Sequence, residues 1–86
     1  MRLDKYLKVS RIIKRRTVAK EACAGGRVSI NNKVAKPGTE IKEGDIIELR
    51  FASKMLKAQI VNINDHVKKE DAQAMYIILS GEEDTE

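Results

Sequence analysis

The sequence predicts a small α+β domain in which two short N-terminal helices pack on a small, twisted antiparallel sheet. Apolar residues follow a helical spacing up to Gly25, and from Arg27 onward they alternate with polar residues, as in strands. Short turn sequences rich in Gly, Asn and Pro separate the later segments. The 86 residues leave room for one such domain and no separate catalytic domain.

The helices are predicted from their apolar faces and end signals. The first is expected from Arg2 to about Ser10, because apolar residues recur at positions 3, 6 and 7. The second is expected to begin near Thr17, whose hydroxyl can act as an N-cap. It should end at Gly25-Gly26, where left-handed backbone angles are needed.

The rest of the chain is predicted to be mainly strands joined by tight turns. Asn31-Asn32 should form a hairpin turn, because Asn tolerates the positive φ that such turns require. Two more turns are expected at residues 36–38 and 43–45. Strands are expected at residues 27–30, 33–35, 46–51, 56–63 and 76–79, with one or two helical turns at 68–74.

The core must be largely aliphatic, because aromatic residues make up only 3% of the chain. Cys23 should fill space beside Ala19 on the second helix. Met75, Tyr76, Ile77 and Leu79 are expected to be core residues rather than a groove for a partner.

Positive charge is concentrated at one end of the chain. The first 20 residues carry eight Lys or Arg side chains against one acid, Asp4, whereas the remaining 66 carry nine basic and twelve acidic side chains. This polarity favours a polyanionic partner that contacts the N-terminal helices. With so few aromatic side chains to stack on bases, folded RNA is a better match than single strands.

Nothing in the sequence indicates an enzyme, a metal site or a cofactor. Cys23 is the single cysteine, and the single histidine, His66, lies far from it in an expected loop. The lone cysteine requires no oxidising compartment, and we see no signal peptide or membrane span, so a cytoplasmic protein is expected.

The order of these parts resembles the alpha-L RNA-binding motif of S4-like domains. The matching residues run from Arg2 to Leu7, from Lys14 to Ala19 and from Gly26 to Asn31, followed by Pro37 and by Gly44 to Ile46. Asn32 departs from the family pattern, which more often has Gly there. The resemblance implies an RNA-binding motif at residues 1–51, an extension of the same domain at 52–79 and an acidic tail, expected to be disordered, at 80–86.

Beyond the motif, residues 1–79 resemble the RqcP (YabO) family of stand-alone bacterial proteins, which is related to a small ribosome-associated heat-shock protein. The resemblance implies a ribosome-quality-control factor. Such a factor binds the stalled large (50S) subunit through 23S rRNA and P-site tRNA. It also supports C-terminal alanine tailing of the nascent chain by a partner protein.

The expected RNA contacts lie mostly on the two helices and their joint. Arg16 is the strongest candidate, because its planar guanidinium can hold a phosphate beside the start of the second helix. Asp4 could orient Arg2 or Arg16 through an ion pair, accept a hydrogen bond from RNA, or simply stabilise the first turn. The expected contacts are Arg2, Asp4, Lys5, Lys8, Arg11, Lys14, Arg15, Arg16, Thr17 and Lys20, with Arg27, Asn31 and Asn32 as further candidates.

Three alternatives remain open at this stage. The chain could be a generic rRNA- or tRNA-binding heat-shock or ribosome-assembly factor. It could be an RNA-binding module of the kind appended to RNA-modifying enzymes or aminoacyl-tRNA synthetases. It could also be a protein-interaction adaptor whose charge is incidental, which would bind its partner with little dependence on salt.

Overall fold

The computed structural model describes residues 1–51 and 54–81 and has the α+β architecture that the sequence predicts. Two helices, α1 (Leu3–Val9) and α2 (Arg16–Ala24), precede a five-stranded sheet. The strands are β1 (Val28–Ile30), β2 (Lys33–Val34), β3 (Ile46–Phe51), β4 (Lys54–Ile60) and β5 (Tyr76–Gly81), with a 3-10 helix (Lys69–Met75) before β5. The strand order is β2-β1-β3-β4-β5, and every neighbouring pair is antiparallel.

Both helices agree with the sequence prediction except at the start of α2. The residue in the N-cap position is Arg15, in an extended conformation, and no side chain caps the helix. The backbone N–H of Ala19 donates to the Arg15 carbonyl at 3.0 Å, so Thr17 already lies in the first turn. The predicted Thr17 N-cap is therefore wrong. At the other end Gly26 has a φ of +77°, which explains the stop after Ala24.

The turns were predicted correctly, whereas several strand boundaries were not: β1 and β2 are each one residue shorter than predicted, and β4 begins at Lys54. Asn31 and Asn32 have φ values of +51° and +71°, as expected for the tight turn between β1 and β2. Strand β4 ends at Ile60 instead of residue 63, because the next two backbone N–H groups both donate to the Met75 carbonyl and leave the sheet. Strand β5 continues to Gly81, and residues 82–86 of the expected acidic tail lie outside the described residues.

The core lies between the apolar faces of the two helices and one face of the sheet. Leu3, Tyr6 and Leu7 of α1 are fully buried, and they belong to one cluster with Ile47 and Leu49 of β3. Cys23 is buried in this cluster, which confirms its predicted place in the core. No helix in the described part of the chain is long and apolar enough to cross a bilayer.

Tyr6 connects the N-terminal helix to the C-terminal part of the chain. Its hydroxyl donates a buried hydrogen bond to the Met75 carbonyl at 2.8 Å. Met75 and Tyr76 are buried, as predicted, and the side chains of Met75 and Tyr76 join the main core. The C-terminal segment is thus packed on the same core as the helices.

The prediction that Ile77 and Leu79 are core residues is wrong. Their exposed fractions are 53% and 47%, and Ile78 between them is 37% exposed. Strand β5 is at the edge of the sheet, and a register irregularity between Lys57 and Ala58 interrupts its pairing with β4. An edge strand beyond the area that the helices cover leaves apolar side chains in solvent.

Candidate nucleic-acid interface

A buried carboxylate joins the beginnings of the two helices. The side chain of Asp4 is 2% exposed and accepts hydrogen bonds from Arg2 Nε to Oδ1 and from Arg2 Nη2 to Oδ2, both at 3.2 Å. Arg16 Nη2 lies 3.5 Å from Oδ1, and the backbone N–H of Lys5 donates to the same oxygen at 2.8 Å. We call Arg2, Asp4 and Arg16 the arginine clamp.

The clamp presents two guanidinium groups to solvent in a fixed relation. The Arg2 and Arg16 side chains are 51% and 48% exposed, so each has donors left for a ligand beyond those that Asp4 occupies. The guanidinium of an arginine can hold a phosphate through two parallel hydrogen bonds. Because Asp4 already holds both arginine side chains in place, less side-chain entropy is lost on binding. Of the roles considered for Asp4, burial favours the ion pair over direct contact with RNA.

The loop that contains the turn at residues 36–38 fixes the start of α1. Backbone N–H groups of Leu3 and Asp4 donate to the carbonyls of Thr39 (2.8 Å) and Pro37 (3.1 Å). Arg2 pairs with Glu40 in a β-bridge, and the terminal ammonium of Met1 pairs with the Glu40 carboxylate. Two orphan donors of the helix N-terminus are thereby satisfied, and Arg2 is held beside the helix it precedes.

A second set of basic side chains lies at the other end of α1. Lys8, Arg11 and Lys14 line a groove of about 470 Å³, whose remaining walls are Val9 and residues 65–68. We call it the α1 groove. Lys5 lies on neither set, because its ammonium pairs with Asp65 at 3.1 Å and holds the pKa of that carboxyl below its usual range. Five of the predicted cations therefore fall into two groups, with Arg2 and Arg16 in the clamp and Lys8, Arg11 and Lys14 in the groove.

The remaining predicted RNA contacts lie outside both the clamp and the α1 groove. Arg15, Thr17 and Lys20 are exposed at the start of α2 and along it, and Arg27 is exposed just before β1. The Asn31 amide is engaged within the protein, because Nδ2 donates to Asp45 at 3.1 Å and Oδ1 accepts from the backbone N–H of Ile46 at 2.9 Å. A structural role accounts for Asn31, which leaves the exposed Asn32 as the turn side chain able to reach a ligand.

Cys23 is an inert thiol in this setting. Burial raises its pKa to about 11, and the negative charge of Asp4 contributes to the shift. The thiol is therefore protonated at neutral pH and is a poor nucleophile or metal ligand. Among residues 1–51 and 54–81, no three His, Cys, Asp or Glu side chains cluster as a metal site requires.

Sequence reasoning missed the contribution of residues 65–68 to the basic surface. No local pattern in the sequence relates Lys68 to Arg11 or Lys14. The proximity arises because Lys5 and Asp65, 60 positions apart, form an ion pair. A contact of that sequence separation leaves no periodic signal.

Comparison with known proteins identifies the family of this chain. Residues 1–47 match the S4 domain model. The chain is 54% identical over 76 residues to the protein of Halalkalibacterium halodurans named RQC P-site tRNA stabilizing factor, which covers 88% of this chain and 86% of that one. The Bacillus subtilis protein of the same name is 51% identical over 82 residues, or 95% of each chain.

A solved structure is also similar over most of the chain. Heat Shock Protein 15 of Vibrio cholerae, described as trimeric, superposes with a TM-score of 0.85 at 32% identity. The match covers 93% of this chain and 82% of that one. These similarities extend through the C-terminal strands as well as the helices, so the chain belongs to the S4-domain family and, within it, to the family of RQC P-site tRNA stabilizing factors.

Proposed function

We propose that this chain is a non-enzymatic RNA-binding factor of ribosome quality control. It binds stalled large (50S) ribosomal subunits through 23S rRNA and P-site tRNA, and supports C-terminal alanine tailing of the nascent chain by a partner protein. The names of its relatives support the tRNA and quality-control parts of this proposal. Such a function would be carried out in the cytoplasm.

The observation that carries the proposal is the arginine clamp. A solvated basic patch would need no buried carboxylate, whereas Asp4 fixes two half-exposed guanidinium groups at the junction of two helices. A rigid pair of Arg forks suits the fixed phosphate spacing of folded RNA better than that of a flexible strand. Phosphate contacts of this kind position a protein on its RNA without reading sequence.

The exposed apolar side chains on β5 support the part of the proposal that concerns a protein partner. Ile77, Ile78 and Leu79 lie at the edge of the sheet, with Ile77 and Ile78 on opposite faces. Exposed apolar side chains on an edge strand are typical of surfaces that other proteins contact. An RNA-binding helical end and an apolar strand would allow the chain to bind RNA and a tailing factor together.

Arg16→Ala tests the proposal. We expect binding to large subunits to weaken by about 1–3 kcal/mol, because a charge-assisted phosphate contact is lost. Sedimentation of the variant with subunits, at several salt concentrations, measures this loss. Arg50→Ala on β3 is the matched control, since it removes an exposed arginine that belongs to neither basic group.

Unaltered co-migration of Arg16→Ala would remove that residue from the interface. A binding constant of the parent protein that does not change with salt would favour the protein-adaptor alternative. The similarity to Heat Shock Protein 15 favours the alternative of a generic heat-shock or assembly factor. Crosslinking in cells, followed by sequencing of the attached RNA, distinguishes that alternative from our proposal. Enrichment of P-site tRNA with one 23S rRNA site supports our proposal, and rRNA without tRNA supports the alternative.

A further inference from the structure

The α1 groove combines residues from both ends of the chain. Lys8, Arg11 and Lys14 come from α1 and the joint before α2, whereas His66 and Lys68 come from the segment after β4. Among the described residues, none of these four Lys and Arg side chains pairs with a carboxylate. The one acid in the lining, Asp65, is already paired with Lys5. The groove is therefore an uncompensated cationic channel.

The Lys5–Asp65 ion pair attaches the far wall to the helix. Val67 is partly buried and packs against the core. Lys68 is the next residue, so its backbone is held close to this contact. Ile63 packs on the same core from the other side of Asp65. Three attachments within five residues hold this wall in place although it contains no helix or strand.

Arg11, which lines the groove, has an unusual backbone conformation for an arginine. Its φ of +62° lies in the left-handed region that favours glycine, at the position after the C-cap of α1 where glycine is the usual choice. An arginine there is strained relative to glycine, and its side chain, which lines the groove, forms no ion pair in the described part of the chain. The left-handed backbone ends α1, where the Arg11 N–H donates to the Lys8 carbonyl at 3.0 Å, but that role needs no arginine side chain, so the guanidinium is left for a ligand.

We propose that the α1 groove is a second phosphate-binding site, which holds a stretch of RNA backbone between Arg11, Lys8 and Lys14 on one wall and Lys68 and His66 on the other. The inference rests on the proposed function and extends the interface into the C-terminal segment. Four Lys and Arg side chains against one already paired acid give the lining a net positive charge, which matches a phosphodiester chain. The clamp and the groove then contact the RNA at two separate places, which would fix the orientation of the protein on it.

The test measures binding to purified large ribosomal subunits as a function of salt. Lys68→Gln should weaken binding by roughly three- to tenfold and reduce the magnitude of the log-log salt slope by about 0.7–0.9, the value of one lost phosphate contact. Lys69→Gln is the matched control, because Lys69 is an exposed neighbour that does not line the groove. Its binding constant and slope should equal those of the parent protein.

Arg11→Gly separates function from folding. Glycine relieves the left-handed strain, so the Tm of this variant should equal or exceed that of the parent, while binding to subunits weakens by roughly three- to tenfold. A variant that is no less stable yet binds less tightly cannot owe its defect to unfolding.

The outcomes are distinguishable. If Lys68→Gln and Arg11→Gly both bind as the Lys69→Gln control does, while Arg16→Ala is impaired, the groove proposal is overturned and the proposed function stands. If the parent protein does not bind subunits even at low salt, the proposed function itself fails. Binding to polyglutamate, a model acidic peptide, is measured in parallel. If Lys68→Gln loses polyglutamate binding but keeps subunit binding, the groove proposal is overturned and the groove is assigned to an acidic protein segment.

Discussion

Replacing Asp4 with asparagine removes the negative charge at the centre of the clamp and keeps the size of the side chain. The asparagine carbonyl can still accept the backbone N–H of Lys5, which now lies 2.8 Å from Oδ1. Its amide nitrogen is a donor, however, and would face the donors of Arg2 or Arg16. The variant therefore loses the charge-assisted contacts that hold the two guanidinium groups together.

The magnitude follows from burial of the carboxylate and exposure of its partners. Hydrogen bonds to charged groups contribute about 1.5–3 kcal/mol when they are shielded from water. Here the Arg2 and Arg16 side chains are 51% and 48% exposed, so water replaces much of what they lose. We expect the free energy of unfolding to fall by about 1–2 kcal/mol in total, and Tm by about 4–8 °C for each kcal/mol.

The effect on RNA binding tests the reasoning because two accounts predict opposite signs. Asp4→Asn raises the net charge from its present +4, and if charge alone drove binding, affinity for subunits would rise. If Asp4 positions the two arginines, affinity falls by roughly 5- to 30-fold, which corresponds to about 1–2 kcal/mol.

Salt-dependent binding to large subunits, measured below the Tm of the variant, decides between the accounts. Asp71→Asn is the control, since it makes the same change in charge at an exposed position of the 3-10 helix. Equal affinities of the two variants would refute the positioning role of Asp4. The pKa of Cys23 gives an independent readout, because the negative charge of Asp4 contributes to its value of about 11 and the pKa should decrease in Asp4→Asn.

Three further predictions concern the scaffold that supports the site. Tyr6→Phe should lower the free energy of unfolding in urea by about 0.5–1.5 kcal/mol, because the Met75 carbonyl keeps its two backbone donors; a loss above about 3 kcal/mol would contradict this. Because burial raises the pKa of Cys23 to about 11, the thiol's contribution to stability is fully present below its ordinary pKa near 8.5 and is lost as the pH rises toward 11. Over that range Cys23→Ala should lose less stability with pH than the parent protein, and parallel pH profiles would contradict the assignment. Asn31→Ala should destabilise the domain by about 1–3 kcal/mol more than Asn32→Ala, since the Asn31 amide alone of the two bonds to other residues in the described chain, and equal Tm values would refute this.

The sequence alone determined those features that depend on near neighbours. Helical spacing identified α1 and α2, and Gly26 marked where α2 ends. The hairpin turn at Asn31-Asn32 was predictable because few other residues accept positive φ at two successive positions. The concentration of positive charge in the first 20 residues can be found by counting the charged residues in the sequence.

Only the tertiary structure decided how that charge is arranged. Asp4 gathers Arg2 and Arg16, Lys5 is drawn to Asp65, and Lys68 comes to lie across the groove from Arg11. Exposure of the apolar side chains on β5 likewise follows from the position of that strand at the sheet edge. Local patterns record which residues share a face of one element, whereas pairing between distant segments depends on the path of the whole chain.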